Sequence, residues 1–225
     1  MMTIREYKQA ESLEEAWQLN QKKANRVLGG MIWLKMENIN VGTAIDLSGL
    51  GLDTIEETED SFSIGAMVTL RQLEEHAGLA AYTHGAVKEA LRHIVGVQLR
   101  NLATVGGSIY SRFGFSDVLT LFMAMDCSVE LYKGGIISLQ EYAERPYDRD
   151  ILVRLIVKKE KQNFSISPCA TARLISRCLP ALPPVWKTAA IALRSVRGRS
   201  RLCCLSCRQR RVFLRRNWRR TLPMK

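Results

Sequence analysis

The order of apolar and polar positions along residues 1–160 alternates between short helices and short strands. Apolar residues recur at helical spacing from Ser12 to Lys22, and Ser12 with Glu15 forms the capping box that begins a helix. Thr69 is a second cap, for a helix that ends at Glu75. Further helices are predicted over 86–95 and 117–125, and strands over 26–28, 44–47, 61–67, 128–132 and 151–157. This mixture indicates an α+β or α/β fold.

Charge divides the 225 residues into two unlike parts. The whole chain has a net charge of +11, which on its own would favour a nucleic-acid or anionic-surface partner. Residues 1–160, however, hold 17 Lys and Arg against all 22 Asp and Glu, a net charge of −5. Residues 161–225 hold the other 16 basic residues, no acidic residue and five of the six cysteines. The two parts therefore need separate interpretations.

Neither part has the features of an exported or membrane-spanning chain. No apolar run reaches the roughly 18 residues that a membrane span needs. Residues 1–9 lack the apolar core of a signal peptide. We therefore expect a cytoplasmic protein without a membrane partner.

Two glycine pairs are the candidate ligand-binding features of the first part. Gly29-Gly30 follows a predicted strand, and Gly106-Gly107 follows a predicted helix and a basic turn. Glycine allows backbone N–H groups to approach an anion closely, so two such loops would suit the two phosphates of a dinucleotide. A Gly-Gly pair is also an ordinary turn sequence, and neither pair matches the P-loop or the Rossmann fingerprint.

The segment around the second pair resembles a known family. Residues 97–109, VQLRNLATVGGSI, are similar to the Q-[IV]-R-N-x-A-T-[IV]-G-G-N-I segment of the FAD-binding subunits of molybdenum hydroxylases, which include xanthine dehydrogenases and the carbon monoxide dehydrogenase medium subunit. Residues 27–30, 45–48 and 64–74 match the family's other landmarks in the same order. The resemblance covers residues 1–160. It implies an α+β, two-subdomain FAD-binding fold of the PCMH type, with subdomains over 1–55 and 56–160.

The resemblance also implies the residues that hold FAD. The first loop would cradle the pyrophosphate with the backbone of Leu28, Gly29, Gly30, Met31, Ile32 and Trp33. The second would face it with Thr104, Val105, Gly106, Gly107 and Ser108. Asp117 matches a carboxylate near the adenosine half, although it is also a good helix cap. Ile94, and Ile151 or Leu152, match positions beside the cofactor, although plain core positions explain them equally well.

Two short stretches depart from the family pattern. Where the family has a polar residue after its first glycine pair, this chain has Met31-Ile32-Trp33. Before Asp117 it has residues 112–115, RFGF, in place of a small, proline-containing stretch, and Phe113 or Phe115 could lie near the cofactor or simply pack on the surface.

The resemblance implies an electron-transfer role with partner chains. In the family, substrate is oxidised at molybdenum, and electrons cross iron–sulfur clusters to FAD and then to NAD+ or another acceptor. A [2Fe–2S] cluster needs four ligands, whereas residues 1–160 offer Cys127 alone. We therefore expect a separate iron–sulfur subunit and a separate molybdopterin subunit, and no catalytic or metal-ligating residue in this chain.

Residues 161–225 do not resemble the family's C-terminal α+β subdomain, which is missing or scrambled. Their Arg and aromatic residues could form a nucleic-acid or membrane-surface arm, and Cys203, Cys204 and Cys207 could begin a metal site. A reading-frame shift near 158–164 explains the composition better. Read one base back, synonymous codons for 165–179 can encode YQSMRNSQTDFPVLT, and those for 191–199 a string ending VAVGARP. Both resemble the family's missing subdomain. We therefore predict an out-of-frame, disordered tail rather than a nucleic-acid-binding module.

Overall fold

Two β-sheets, each formed by its own part of the chain, organise the fold. The structure is a computed structural model, and it describes residues 1–113, 116–159, 166–168 and 191–193. The first sheet is parallel and three-stranded, in the order β1-β3-β2. Its strands are β1 (Thr3–Gln9), β2 (Arg26–Leu28) and β3 (Asn40–Asp46). Helix α1 (Leu13–Asn20) connects β1 to β2 and begins where the Ser12 side chain accepts a hydrogen bond from the Glu15 amide.

The second sheet is antiparallel and five-stranded, in the order β4-β5-β8-β6-β7. Apolar residues alternate along its inner strands, so Phe62, Ile64, Val129 and Leu155 all point into one buried layer. Its strands are β4 (Ile55–Glu57), β5 (Ser61–Gly65), β6 (Cys127–Leu131), β7 (Gly135–Ser138) and β8 (Leu152–Lys158).

Seven short helices accompany the second sheet, and most of them cover its buried face. They are α2 (Leu70–Glu75), α3 (Ala77–Tyr82), α4 (Ala86–Leu91), α5 (Val97–Leu102), α6 (Val105–Tyr110), α7 (Asp117–Met123) and α8 (Leu139–Glu144). Leu91, Ile109 and Phe122 on these helices pack against Phe62 and Leu155 in one continuous core. That core forms the body on which the candidate site rests.

A second, smaller core joins the two sheets. Ala16 on α1 and Ile45 on β3 pack there with Ile151, just before β8, and Val153, near the start of β8. Neighbouring Leu152 belongs to the main core instead. Because successive side chains of a strand point to opposite faces, this one segment contributes to both cores. The first subdomain is therefore completed by residues about a hundred positions further along the chain.

The α+β mixture expected from the sequence is confirmed, since two separate sheets are accompanied by short helices. The chain passes from the first sheet to the second between the 3-10 turn at Ser48–Leu50 and β4, which begins at Ile55. The predicted tail from 161 onward lies outside the described residues, apart from β9 (Ile166–Pro168) and β10 (Ile191–Leu193), which pair antiparallel. Among the helices that are described, none has the length and apolar character of a membrane span.

Candidate cofactor site

A row of backbone donors follows β2. The amides of Gly29, Gly30, Met31 and Ile32 donate no hydrogen bond to any described residue. A buried or half-buried amide needs a partner, and successive amides in a turn form a concave site suited to an anion. Met31 has φ +55, in the left-handed region that side chains other than glycine adopt at a cost. The loop therefore combines a strained backbone at Met31 with four amides that lack an acceptor among the described residues.

The second glycine pair lies at the start of a helix rather than in a loop. Thr104 caps α6, and its side-chain oxygen accepts a hydrogen bond from the Gly107 amide at 3.1 Å. The amides of Val105 and Gly106 donate to backbone carbonyls of the β5–α2 connection, at 2.8 Å each. These amides are therefore occupied by the protein itself, contrary to the sequence expectation that this segment presents donors to phosphate. The carbonyl of Thr104 likewise accepts from the Ser108 amide and hydroxyl.

The two glycine pairs pack against each other. An ideal Cβ at Gly29 would lie 2.8 Å from the Thr104 hydroxyl and 3.7 Å from the Gly107 Cα, and one at Gly30 would overlap the Leu102 carbonyl. A Cβ at Gly106 would lie 2.6 Å from the Ala66 carbonyl oxygen. Close packing within the protein is thus sufficient to require glycine at positions 30 and 106.

Gly107 differs from these glycines because it is exposed. A Cβ built there meets only the Thr104 hydroxyl, at 3.0 Å, outside its own helix backbone. Its exposed face adjoins Gly29 and therefore the row of unpaired amides. Among the four glycines of the two pairs, Gly107 is the position where a small side chain would test the outer face of the site with the least disturbance, a small shift of the Thr104 hydroxyl.

Asp117 is a partly buried carboxylate at the first position of α7. The cap of that helix is Ser116, whose hydroxyl oxygen accepts from the Leu119 amide at 3.2 Å, so the alternative role of Asp117 as cap is wrong. The Ser116 hydroxyl also donates to the Ser108 carbonyl at 3.0 Å, which fixes α7 to α6. Burial raises the pKa of Asp117 to about 6, and no described residue donates a hydrogen bond to it. At neutral pH it is an ionised acceptor that lacks a donor in the described structure.

Ile94 lies in a turn that a buried ion pair holds in place. The Arg100 guanidinium donates to the backbone carbonyls of Arg92 and Ile94, at 3.1 Å each, and to Glu74 at 2.9 Å. Arg100 and Glu74 are both 5% exposed. Burial raises the pKa of Glu74, but hydrogen bonds from Arg71 and Arg100 outweigh it and leave the pKa below its ordinary value. Ile94 is half-buried against the main core, whereas Leu152, the other apolar candidate, is 4% exposed within it.

Arg100 and Arg112 lie within the sequence motifs described above, but the sequence indicated no role for either. Arg112, at φ +49, donates to the carbonyls of Arg145 and Pro146 at 2.9 Å each, and its guanidinium lies 4.0 Å from the centre of the Tyr142 ring. It thereby fixes the connection that leads from α6 to Asp117. Glu74, Arg145 and Pro146 are distant in sequence from the arginines that contact them, so local patterns do not reveal these contacts. The one sequence signal for either arginine was the place of Arg100 in the Q-x-R-N motif.

The geometry fits a ligand with an anionic middle and hydroxyl or amino donors at one end. Unpaired amides suit a pyrophosphate, and the desolvated Asp117 carboxylate suits ribose or adenine donors. Among the described residues, no group of three His, Cys, Asp or Glu side chains is arranged as metal ligands would be. The unpaired amides and the Asp117 carboxylate are therefore the candidate contacts for a nucleotide cofactor.

Comparison with known proteins agrees with that class. A family model described as the FAD binding domain in molybdopterin dehydrogenase matches residues 2–159, and the chain belongs to this family of FAD-binding domains. The match ends at residue 159, so it covers almost all of the acidic first part and none of the basic tail from residue 161. FAD is therefore the cofactor of this domain.

Individual relatives are more distant. The chain is 29% identical over 194 residues to the uncharacterized protein YgfM of Escherichia coli strain K12, covering 84% of this chain and 70% of that one. It shares 22% identity and a TM-score of 0.67 with a Cu,Mo-CO dehydrogenase structure, covering 75% and 65% of the two chains. Quinoline 2-oxidoreductase from Pseudomonas putida 86 gives 20% identity and a TM-score of 0.65, covering 73% and 62%.

The chain spans somewhat less than two thirds of the length of each of these two solved structures. A match over 84% of the chain extends past residue 160, so the YgfM similarity includes part of the stretch that the codon argument assigns to a shifted frame.

Proposed function

We propose that this chain is the FAD-binding subunit of a molybdenum-dependent, xanthine dehydrogenase-like hydroxylase. In this role it takes electrons from iron–sulfur clusters and passes them to NAD+ or another acceptor. The observation that carries the proposal is the row of unpaired amides from Gly29 to Ile32, which adjoins the exposed face of Gly107. FAD supplies the redox chemistry when bound, and the protein supplies its position and electrostatic environment.

In this proposal each segment has a distinct task. The amides of the first loop donate to the pyrophosphate, and Gly107 allows the cofactor to approach the start of α6. Asp117 accepts hydrogen bonds from the adenosine half. Ile94, held by Arg100, forms an apolar wall. Val105 and Gly106 support the site from beneath through their hydrogen bonds to the β5–α2 connection.

Partner subunits supply the other redox centres in this proposal. Within the described residues the one cysteine is Cys127, which is buried on β6 and cannot ligate a cluster alone. A [2Fe–2S] subunit and a molybdopterin subunit are the corresponding partners. The relatives give general support, since one similar structure is a Cu,Mo-CO dehydrogenase. The xanthine dehydrogenase-like character and the NAD+ acceptor derive from the sequence resemblance.

Two neighbouring glycine variants test the site in the full chain. Gly107→Ala adds a methyl group to the exposed face of a helix, where alanine is favoured over glycine by about 1 kcal/mol. We expect its melting temperature to be maintained and its FAD affinity, measured by calorimetric titration, to fall at least tenfold. Gly106→Ala is the matched control, because its methyl group meets Ala66 and should lower stability first. Wild-type FAD affinity in Gly107→Ala would show that the second glycine pair does not contact the cofactor.

The subunit role needs a separate test. Co-expression with candidate iron–sulfur and molybdopterin subunits should give one complex by size exclusion, in which substrate reduces the flavin, as followed by its absorbance. A chain that binds FAD but never associates with such subunits would contradict the role without contradicting the cofactor.

A further inference from the structure

The two stretches that depart from the family pattern contact each other in the structure. Trp33 ends the first loop and Phe113 lies between α6 and α7, and their ring centres are 6.4 Å apart with the planes at 70°. This is the edge-to-face arrangement that aromatic pairs favour. One ring comes from the first subdomain and the other from the second. The pair therefore bridges the two sides of the candidate site.

Both rings remain substantially exposed despite their contact. Trp33 is 46% exposed and Phe113 is 39% exposed. Large aromatic side chains are usually more buried, because each can bury 150–250 Å² of surface. The two rings form an exposed aromatic rim at the end of the loop that carries the unpaired amides.

The position of each ring relates it to one end of the nucleotide site. Trp33 follows directly after the four unpaired amides. The carbonyl of Phe113 accepts from the amide of Ser116 at 2.9 Å, and this turn leads into Asp117. The aromatic rim therefore lies between the segment that donates to phosphate and the segment that carries the carboxylate.

We propose that Trp33 and Phe113 form an aromatic platform for a planar ring system of the bound FAD, either the adenine or the isoalloxazine, which stacks on the face of one ring and meets the edge of the other. The proposal rests on the proposed FAD site. A planar heterocycle stacks on an aromatic face with a strength that depends little on its polar substituents. Where the family resemblance places a polar residue after the first glycine pair, this chain has Met31-Ile32-Trp33, so a hydrogen-bonding side chain is absent there. The loss of that hydrogen-bonding side chain is thus accompanied by a gain of aromatic surface.

The test uses the full chain and three probes: FAD, ADP, which lacks the flavin, and FMN, which lacks the adenine. Trp33→Leu and Phe113→Leu keep an apolar side chain but remove the aromatic face. We expect each variant to weaken FAD binding by roughly 5- to 100-fold in dissociation constant. A parallel loss for ADP assigns the stacked ring to adenine, and a parallel loss for FMN assigns it to isoalloxazine. Met36→Leu is the control, since it changes a more exposed apolar residue three positions after Trp33 that takes no part in the ring contact, and it should bind all three probes as the wild type does.

The outcomes separate this proposal from the FAD site itself. If the wild-type chain binds FAD and both leucine variants bind it with unchanged affinity and unchanged melting temperature, the platform is wrong while the site stands. If the wild-type chain binds none of the three probes, the proposed function fails first. A double variant provides a further check, because two rings on one platform should show non-additive losses.

Discussion

Asp117 should lower the stability of the cofactor-free protein at neutral pH while raising its affinity for FAD. Its carboxylate is partly buried at the start of α7, and no described residue donates a hydrogen bond to it. Asp117→Asn keeps the shape of the side chain and removes the charge. The variant should therefore be more stable than the wild type and bind FAD more weakly. These opposite changes distinguish a functional carboxylate from a structural one.

The magnitude follows from the pKa of Asp117, which burial raises from 3.8 to about 6. A difference of this size corresponds to about 3 kcal/mol. Between these two pKa values the folded state keeps a proton that the unfolded state has lost. The free energy of unfolding therefore falls as pH rises through about 4 to 6, and the loss is complete above about pH 6. A favourable interaction of the ionised form with the start of α7, worth about 0.3–1 kcal/mol, offsets part of it.

Urea unfolding of FAD-free protein at pH 4.5 and pH 8 measures the effect. We expect Asp117→Asn to exceed the wild type by about 2 kcal/mol at pH 8 and by much less at pH 4.5. FAD affinity at pH 8 should fall by about tenfold or more, because a hydrogen bond to a charged acceptor contributes roughly 1.5–3 kcal/mol. Wild-type affinity should also weaken as pH falls below about 6, and the variant should lose this dependence.

Asp126→Asn is the matched control, since it removes an exposed carboxylate just beyond the other end of α7. It should change neither stability nor affinity appreciably. If Asp117→Asn shows the same stability difference between the two pH values as the wild type, the carboxylate is not desolvated as described. If its FAD affinity is unchanged, Asp117 does not contact the cofactor.

Three other predictions follow from the strained turn, the buried ion pair and the tail. Val95 is exposed with φ +50, so Val95→Asn should raise stability by about 1 kcal/mol in thermal unfolding, and a decrease would show that the valine side chain has a partner. Arg100→Met leaves buried Glu74 with Arg71 as its remaining ion-pair partner and should cost roughly 1.5–3 kcal/mol in urea unfolding, part of which the added Glu74→Leu change should restore; a loss below 1 kcal/mol would contradict the buried pair. Resequencing the gene across codons 155–170 should reveal the shifted base. If the gene encodes this sequence without a shift, the frame explanation is wrong and the YgfM match past residue 160 is genuine homology.

Sequence patterns located the elements whose signals are local. Thr69 and Gln72 form a capping box at α2, and the alternation of Phe62 and Ile64 matches β5. β1 was missed because nearly all its residues are exposed, so the strand has no apolar alternation and is defined by pairing with β3. Helix α6 was missed because a glycine pair disfavours a helix. Its first amides are fixed instead by the distant β5–α2 connection, which no local pattern reveals.

The candidate site was predictable to the level of segments rather than atoms. The two glycine pairs singled out in the sequence pack against each other in the structure, and their contact with a cofactor stays a prediction. Which amides remain free was not predictable, because Val105 and Gly106 are paired through tertiary contacts. The burial of Asp117 likewise depends on how α7 packs.

The segment entering β8 sets the order in which this protein can fold during synthesis. Ile151 and Val153 complete the core beneath the first sheet, and the Arg149 guanidinium donates to the carbonyls of Asn20 and Lys22. The first three strands leave the ribosome before any of these groups exists. At about 5–20 residues per second, translation from β3 to β8 takes roughly 5–20 s. During that interval the nascent first sheet exposes an unfinished apolar face, which makes it a natural client for chaperones that bind such surfaces.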